Sequence, residues 1–275
     1  MERITSRQNA LVQRFRTLHE GDRDGKLMLL DGEHLVREAL ASGVHLEAVA
    51  LTDRAASGPL ADLVAELGRM NVRVVLIDTA VLAAISPVRQ PSGVVAIAAQ
   101  PSVAADRVLL GRPALVLTLS GVQDPGNVGA IVRTAEGCGA TGLIVTAGTA
   151  DPFSWKALRG GMGSTFRLPI ASVAAPHDAL RLAKSSGLRV IATTARGGTP
   201  LPACDLRGDC AIVLGGEGPG LPVEIVEAAD EWITIPMRAP VESLNVAIAA
   251  ALVVYEAARQ RTAPPSRAGR TNVAV

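Results

Sequence analysis

Short apolar runs alternate with amphipathic stretches along the first hundred residues of the chain. The apolar runs of strand length are residues 27–30, 48–51, 72–77 and 94–99. The stretches whose apolar side chains recur at helical spacing are residues 4–19, 31–41, 59–70 and 79–85. Thr5 or Ser6 is expected to cap the first helix, and residues 21–26 are expected to form a polar turn. This alternation predicts a small α/β domain, and a linker rich in turn residues places its end near residue 105.

The central pattern is a β-α-β unit. An apolar run at residues 114–119 predicts a buried strand, a polar turn follows at residues 120–126, and a second strand is expected at residues 143–146. The helix between them starts at Asn127, and at about 100° per residue Arg133 points about 140° away from its apolar stripe. That stripe consists of Val128, Ile131, Val132, Ala135 and Gly139. The unit therefore holds a guanidinium off the core side of a helix whose N-terminus suits polar or anionic ligands.

The C-terminal half continues the alternation of strands and helices. Strands are predicted at residues 168–170, 189–193, 210–214 and 232–235. Helices are predicted at residues 176–186 and from an N-cap at Ser243 to about residue 261. The glycines of residues 151–164 predict a loop that approaches a ligand or another backbone closely. Only 2% of the residues are aromatic, so the core is built from Ala, Val, Leu and Ile, which suits a parallel α/β sheet.

A second glycine-rich segment, Gly-Gly-Glu-Gly-Pro-Gly-Leu at residues 215–221, follows directly after a predicted buried strand. Four glycines around one acid indicate a tight turn on a ligand, and Glu217 is its informative residue. The segment has neither the spacing of a dinucleotide-binding fingerprint nor the Lys-Ser/Thr of a phosphate-binding loop. A nucleotide-dependent oxidoreductase is therefore disfavoured.

Charge and cysteine content exclude several other classes of protein. The chain has 27 Lys and Arg against 26 Asp and Glu, so no overall basic field indicates nucleic acid, and RNA binding would depend on local sites. Cys138, Cys204 and Cys210 are odd in number and lack metal-ligand spacing, so we expect reduced thiols and no metal site. The N-terminus lacks a signal-peptide pattern, and the longest apolar run is far too short to span a bilayer. A cytoplasmic protein without membrane segments is expected.

Three segments in order resemble the motifs of the SpoU/TrmH family of SPOUT-class RNA 2′-O-ribose methyltransferases. The first is Asp-Pro-Gly-Asn-Val-Gly-Ala-Ile-Val-Arg-Thr-Ala at residues 124–135, and the second is the glycine turn around Glu217. The third is Ile-Pro-Met at residues 235–237, followed by Glu-Ser-Leu-Asn-Val-Ala at residues 242–247. The resemblance covers about residues 113 to 260, and three motifs in family order are far more specific than one.

The resemblance implies an α/β protein of two domains. Residues 1–105 would be an N-terminal α/β substrate-binding domain, because Asp-Gly-Glu-His at residues 31–34 resembles a domain often attached to this family and similar to ribosomal RNA-binding proteins. Residues 106–262 would be a SPOUT methyltransferase domain with a parallel sheet and a deep C-terminal trefoil knot. The implied reaction is methyl transfer from S-adenosylmethionine to a ribose 2′-hydroxyl of structured RNA, with ribosomal RNA favoured over tRNA.

The same resemblance implies roles for individual residues. Arg133 would lie next to the reacting hydroxyl, either as a general base or as a charge that stabilises the developing alkoxide, and the sequence leaves both open. Asn127 would orient the Arg133 region, Glu217 would hold the site together, and Ser243 and Asn245 would lie at a helix N-terminus. The implied cofactor-binding residues are Thr193, Thr194, Ala195, Leu214, Gly215, Gly216, Glu217, Gly220, Ile235, Met237, Ser243 and Leu244. Taken singly, Ser243 could be only a helix cap, Asn127 a turn residue and Glu217 a surface acid.

Two alternatives to an rRNA methyltransferase stay open at this point. One is a tRNA 2′-O-methyltransferase, and the other is a non-catalytic RNA-binding or ribosome-assembly protein on the same scaffold. The intact set of Asn127, Arg133, Glu217, Ser243 and Asn245 favours catalysis over the second.

The last helix has apolar side chains on two faces, which predicts burial on both sides. One face carries Leu244, Ile248, Ala251, Leu252 and Tyr255, and the other carries Val246, Val253 and Val254. The domain core is expected to cover one face, and a homodimer interface is expected to cover the other. Residues 263–275 are rich in Pro and Arg and predict a disordered basic tail.

Overall fold

A computed structural model describes residues 1–20, 26–218 and 220–262 of the chain. The tail predicted at residues 263–275, and all of the turn predicted at residues 21–26 except Lys26, lie outside the described residues. The described part contains two β-sheets with helices packed against them, one sheet in each half of the chain. The predicted mixed α/β fold class is confirmed.

The N-terminal half forms a five-stranded sheet in the order β1-β4-β3-β5-β2. Its strands are β1 (Glu2–Ile4), β2 (Leu27–Asp31), β3 (Leu46–Thr52), β4 (Arg73–Ile77) and β5 (Val94–Ala99). Its helices are α1 (Ala10–Glu20), α2 (Glu33–Ala41), α3 (Asp53–Ala56), α4 (Ala61–Arg69) and α5 (Thr79–Ile85). Strand β5 runs antiparallel to β2 and β3, while β1, β3 and β4 are parallel.

The prediction of a helix from residue 4, capped by Thr5 or Ser6, was wrong. Residues 2–4 instead form β1, an edge strand that pairs with β4 and buries Ile4. Helix α1 begins at Ala10, and the side chain of Asn9 caps it by accepting a hydrogen bond from the Leu11 N–H at 2.8 Å. A three-residue strand is too short to be recognised from periodicity, so its apolar residue was assigned to the neighbouring helix.

The C-terminal half forms a seven-stranded, wholly parallel sheet in the order β10-β12-β9-β11-β6-β7-β8. Its strands are β6 (Leu115–Ser120), β7 (Gly142–Thr146), β8 (Ile170–Val173), β9 (Arg189–Thr194), β10 (Thr199–Pro200), β11 (Cys210–Gly215) and β12 (Glu231–Thr234). The helices of this half are α6 (Ala105–Val108), α7 (Pro125–Gly137), α8 (Trp155–Gly161), α9 (Ser164–Arg167), α10 (Pro176–Ser185), α11 (Val223–Glu227) and α12 (Val246–Thr262). Strand β11 lies between β6 and β9, so the chain returns into the middle of the sheet after building its β7-β8 edge. The trefoil knot implied by the family resemblance stays a prediction.

The prediction of a loop at residues 151–164 was wrong for residues 155–161, which form the helix α8, and Ser164 begins α9. The strand predicted from Leu168 begins at Ile170. The glycines of this segment serve helix packing. A Cβ at Gly129 of α7 would overlap the carbonyl oxygen of Ala157 in α8, and a Cβ at Gly160 would lie 3.3 Å from the backbone of Gly126 and Gly129 in α7. The two helices therefore touch through backbone, which fixes α8 and α9 against the helix that carries Arg133.

We expect Gly129→Ala to lower the melting temperature, because the added methyl has only backbone to displace and overpacking of this kind costs about 1–3 kcal/mol. Gly137→Ala is the matched control, since nothing lies within 4 Å of a Cβ at that position in the same helix. It should leave the melting temperature unchanged or raise it slightly. Thermal unfolding followed by circular dichroism measures both. Equal melting temperatures for the two variants would contradict the close approach of α7 and α8.

Helices α8 and α9 also join the two halves of the molecule. Leu158 and Phe166 are buried in the same apolar cluster as Leu30 and Leu35 of the N-terminal half. The carbonyl oxygen of Met162, between the two helices, lies 3.3 Å from a ring nitrogen of His34 in α2. The N-terminal half is therefore held against the end of α8 and not against the glycine turn.

Candidate active site

A cleft of about 560 Å³ opens at the carboxyl ends of β9, β11 and β12. This edge of a parallel sheet is where open α/β folds bind ligands, and the volume suits a molecule of cofactor size. The residues implied as cofactor ligands all line the cleft: Thr193, Thr194, Ala195, Leu214, Gly215, Gly216, Glu217, Gly220, Ile235, Met237, Ser243 and Leu244. They come from the ends of three strands and from the segment before α12, so chain segments far apart in sequence converge here.

The glycine turn after β11 folds back on itself beside the cleft. Gly216 and Gly220 form an isolated antiparallel bridge, and Gly218 and Gly220 have φ of 99° and 71°. A Cβ at Gly216 would overlap the carbonyl oxygen of Gly121, which belongs to the turn after β6. Only glycine allows this contact, so the turn after β11 is pressed against the turn that precedes α7. This packing brings the first and second sequence motifs together.

Three polar side chains connect all three motifs in one hydrogen-bonded row. The Asn127 side-chain amide donates to Glu217 Oε1 at 2.6 Å, and Asn245 Nδ2 donates to Asn127 Oδ1 at 3.2 Å. Asn245 Oδ1 accepts from the backbone N–H groups of Ala247 and Ile248 at the start of α12. The row therefore runs from the glycine turn through the start of α7 to the start of α12.

The direction of each hydrogen bond in this row is determined by the groups at the two ends of the row, the backbone N–H groups of α12 and the carboxylate of Glu217. The backbone N–H groups of α12 can only donate, which fixes the oxygen of Asn245, and an ionised Glu217 can only accept, which fixes the amide group of Asn127. Glu217 Oε2 also accepts from the Gln123 N–H at 3.2 Å. Partial burial raises the pKa of Glu217, but the hydrogen bonds from Asn127 and Gln123 outweigh it and hold the pKa below its usual value. Glu217 is thus an anion and not a proton donor at neutral pH.

The first turn of α7 is fixed independently of the cleft. Asp124 is the N-cap, and its Oδ1 accepts from the Asn127 N–H at 2.9 Å. Pro125 occupies the first helical position, where its missing N–H costs nothing. Helix α7 therefore begins two residues earlier than the pattern predicted, and Asn127 faces Glu217 from a rigid turn.

Ser243 does not cap α12. The helix begins at Val246, and Asn245 provides the capping oxygen, while Ser243 lies two residues upstream as an exposed residue on the cleft wall. The prediction placed the cap at the serine because Ser is a common capping residue, but Asn is preferred equally. Asn245 therefore has two functions, as a helix cap and as the end of the row from Glu217.

The structure does not bring Arg133 to the cleft. Arg133 lies six residues beyond Asn127 on α7, which corresponds to about 9 Å along the axis and a rotation of about 240°. Its side chain is exposed and forms no hydrogen bond or ion pair with any residue that the structure describes. Four of the five catalytic candidates thus lie at or beside the cleft, and Arg133 lies on a neighbouring face of the same helix.

Several cleft residues were not predicted to bind the cofactor. They are Val226, Ile233, Ala249 and Val253. All are apolar residues that sequence patterns assign to the core, because a cleft wall and a core show the same apolar periodicity.

The described residues contain no group of His, Cys, Asp and Glu that could hold a metal ion. Within the same residues, no helix is long and apolar enough to cross a membrane.

Comparisons with known proteins agree with this geometry. The SpoU rRNA methylase family matches residues 114–255, and the N-terminal region of the thiostrepton-resistance methylases matches residues 1–112. The chain belongs to the SpoU rRNA methylase family. The family resemblance inferred from the three motifs is confirmed.

Individual members of the SpoU family align over almost the whole chain. The 23S rRNA (guanosine(2553)-2′-O)-methyltransferase RlmP of Bacillus subtilis is 31% identical over 93% of this chain and 98% of its own. A protein of Synechocystis described as an uncharacterized tRNA/rRNA methyltransferase is 36% identical over 94% of both chains. The crystal structure of an AdoMet-bound rRNA methyltransferase from Sinorhizobium meliloti is 29% identical and superposes with a TM-score of 0.85, covering 96% of this chain and 99% of that one.

Proposed function

We propose that this protein transfers a methyl group from S-adenosylmethionine to the 2′-hydroxyl of a nucleotide in ribosomal RNA, in the cytoplasm. The observation that carries the proposal is the row Glu217–Asn127–Asn245, which joins the three family motifs beside one cofactor-sized cleft. The relatives with an assigned substrate support ribosomal RNA, since RlmP is named for 23S rRNA and the Sinorhizobium protein for rRNA.

The lining of the cleft fits S-adenosylmethionine. Ile235, Leu244 and Ala249 offer apolar contacts for an adenine ring, and the backbone of the glycine turn offers N–H and C=O groups for its polar edges. S-adenosylmethionine supplies a methyl group on a positively charged sulfur, which is a good leaving group. Positioning of the two reactants therefore dominates catalysis, and the turns around Gly216 and Asn127 fix the cofactor side of the site.

Arg133 acts on the RNA and not on the cofactor, because it lies outside the cleft on an exposed face of α7. A guanidinium keeps its charge under almost all conditions, so its direct effect is electrostatic. It can hold a phosphate of the RNA backbone and stabilise negative charge that develops on the 2′-oxygen. The proton of the hydroxyl then leaves to solvent or to another acceptor near the ribose.

In this proposal the two halves of the chain have different functions. Residues 106–262 form the catalytic domain and residues 1–105 the RNA substrate-binding domain. The contact of His34 with Met162 and the packing of Leu158 and Phe166 against the N-terminal core hold the two together. RNA bound to the first domain would thus be presented at a fixed distance from α7.

Labelled S-adenosylmethionine, with ribosomal RNA and with tRNA from cells that lack this protein as separate substrates, tests the choice of RNA. We expect label in ribosomal RNA and background in tRNA. Label in tRNA alone would replace the proposed substrate with the tRNA alternative. Tight cofactor binding without label in any RNA would favour the non-catalytic alternative.

We propose that the protein is a homodimer through α12. One face of α12 is buried in the catalytic domain, including Val246, Val253 and Val254. The opposite face exposes large apolar side chains at helical spacing, namely Ile248, Leu252 and Tyr255, with Leu244 just before the helix. A stripe of this size on a surface favours burial against a second copy.

We expect Leu252→Glu to convert the dimer to a folded monomer, because the charge would be buried in the interface but is solvated in the monomer. A charge at Val253 would test folding instead, since that side chain is only 1% exposed. Met70→Glu is the matched control, because Met70 is also exposed but lies at the end of α4 in the N-terminal half. Light scattering with circular dichroism reports mass and fold. A wild-type monomer at micromolar concentration would contradict the dimer.

A further inference from the structure

The carboxylate of Glu136, near the end of α7, is held by an arginine from another helix. Arg167 of α9 donates from Nε to Glu136 Oε1 at 2.5 Å and from Nη2 to Oε2 at 3.0 Å. The third nitrogen of the same guanidinium, Nη1, donates to Glu38 of α2 in the N-terminal half. The hydrogen bonds from Arg167 are the main cause of a lowered pKa of Glu136, so this carboxylate is ionised at neutral pH. One arginine thus neutralises two acids from two domains.

Glu136 is also the helical neighbour of Arg133. Residues three apart on an α-helix lie on the same side, with Cβ atoms about 5–6 Å apart. Gly129, one turn before Arg133, faces α8, and Glu136 faces α9, so Arg133 lies between two positions of α7 that face this pair of helices. Yet Arg133 forms no ion pair with any described residue, while the carboxylate next to it pairs with Arg167.

We propose that Arg167 is a positioning residue that keeps Glu136 away from Arg133, which leaves the Arg133 guanidinium free for RNA. This inference rests on the proposed function. Without Arg167, the nearest cation on the same helix is Arg133 itself, and Glu136 can pair with it. The loss of Arg167 would act on the RNA in two ways. Arg133 would be partly occupied by Glu136, and an unneutralised negative charge would lie within one helical turn of Arg133.

The size of the effect follows from these two contributions. An exposed i,i+3 ion pair alone would occupy Arg133 enough to slow transfer only about two- to threefold. An unpaired carboxylate beside the developing alkoxide acts at lower effective dielectric once RNA covers the site, and it opposes the transition state more strongly. We therefore expect Arg167→Ala to lower kcat about tenfold in total. The KM for S-adenosylmethionine should not change, because Arg167 does not line the cleft.

Second-site substitutions separate this role from a structural one. In Arg167→Ala, Glu38 and Glu136 are both left without their cation. Arg167→Ala/Glu136→Gln and Arg167→Ala/Glu38→Gln each relieve the repulsion between the two acids, but only the first removes the carboxylate beside Arg133. Arg167→Lys retains a cation and should retain most of the activity.

The experiment compares kcat for methyl transfer to ribosomal RNA, the KM for S-adenosylmethionine and the melting temperature of these variants with wild type. We expect kcat to recover in the Glu136→Gln double variant and to stay low in the Glu38→Gln double variant, at similar melting temperatures. Recovery in both, recovery in neither, or wild-type kcat for Arg167→Ala would each overturn this inference while leaving the proposed function in place. A wild-type protein that methylates no RNA would instead overturn the proposed function and this inference with it.

Discussion

Arg133→Ala should lower methyl transfer by at least about 100-fold, while the fold, the proposed dimer and cofactor binding stay intact. The side chain is exposed on α7 and forms no hydrogen bond or ion pair with a described residue, so its removal leaves no buried cavity and no unpaired acid. It also lies outside the cleft, so the Kd for S-adenosylmethionine should equal that of wild type. The effect should therefore appear in kcat with RNA and nowhere else.

Arg133→Lys is the informative companion, because it keeps the charge and loses the planar fork that can grip a phosphate. We expect its activity to be low as well. Raised pH distinguishes the two roles left open by the sequence. An electrostatic Arg133 predicts that higher pH partly rescues Arg133→Ala by supplying alkoxide from solvent, whereas a base that must deprotonate predicts wild-type activity that rises steadily with pH. Near-wild-type transfer by Arg133→Ala would place the catalytic centre elsewhere.

Asn127→Asp should weaken cofactor binding about 10- to 100-fold, because it exchanges the amide donor for a carboxylate 2.6 Å from Glu217 Oε1. The substitution changes almost no volume, so the core under α7 is undisturbed. What is lost is a hydrogen bond to a charged group, worth about 1.5–3 kcal/mol, and what is added is repulsion between two anions. The glycine turn should then separate from the start of α7 and open the cleft.

Exchanging the polarity of the pair should restore the row. In Asn127→Asp/Glu217→Gln, the new glutamine amide can donate to the new aspartate, while its oxygen still accepts from the Gln123 N–H. The aspartate still accepts from Asn245. Isothermal titration with S-adenosylmethionine measures wild type, both single variants and the double variant. A double variant no better than Asn127→Asp would show that Glu217 acts on the cofactor itself and not through Asn127.

The architecture of the C-terminal half could be predicted from the sequence because buried parallel strands appear as short apolar runs. The runs that became β6, β7, β9 and β11 are mainly apolar, and their ends fell within one residue of the predicted positions. The loop prediction for residues 151–164 failed because glycines indicate a loop when only local conformation is considered. The close approach of α7 and α8 is a tertiary reason for glycine, and the local pattern of residues 151–164 does not show that α7 packs against them.

The candidate site shows the same division between local and long-range information. The cleft-lining set was obtained by resemblance to three motifs, and the structure places all of it around one cavity. The row Glu217–Asn127–Asn245 could not be derived, because its hydrogen-bonded pairs lie 90 and 118 residues apart in sequence. Tertiary contacts such as the packing of Gly216 on Gly121 bring them together. The Arg167–Glu136 ion pair could not be predicted either, since in the sequence both residues resemble ordinary surface charges on separate helices.

The most direct test of the account is the chemical position of the transferred methyl group. Ribosomal RNA from cells that lack this protein, treated with the protein and labelled S-adenosylmethionine, is digested to nucleosides and separated by mass spectrometry. We predict that the label is found in a single kind of 2′-O-methylated nucleoside, and that Arg133→Ala leaves that nucleoside unlabelled. Label on a base, or no label with a wild-type protein that binds the cofactor, would contradict the assignment of this chain as a ribose methyltransferase.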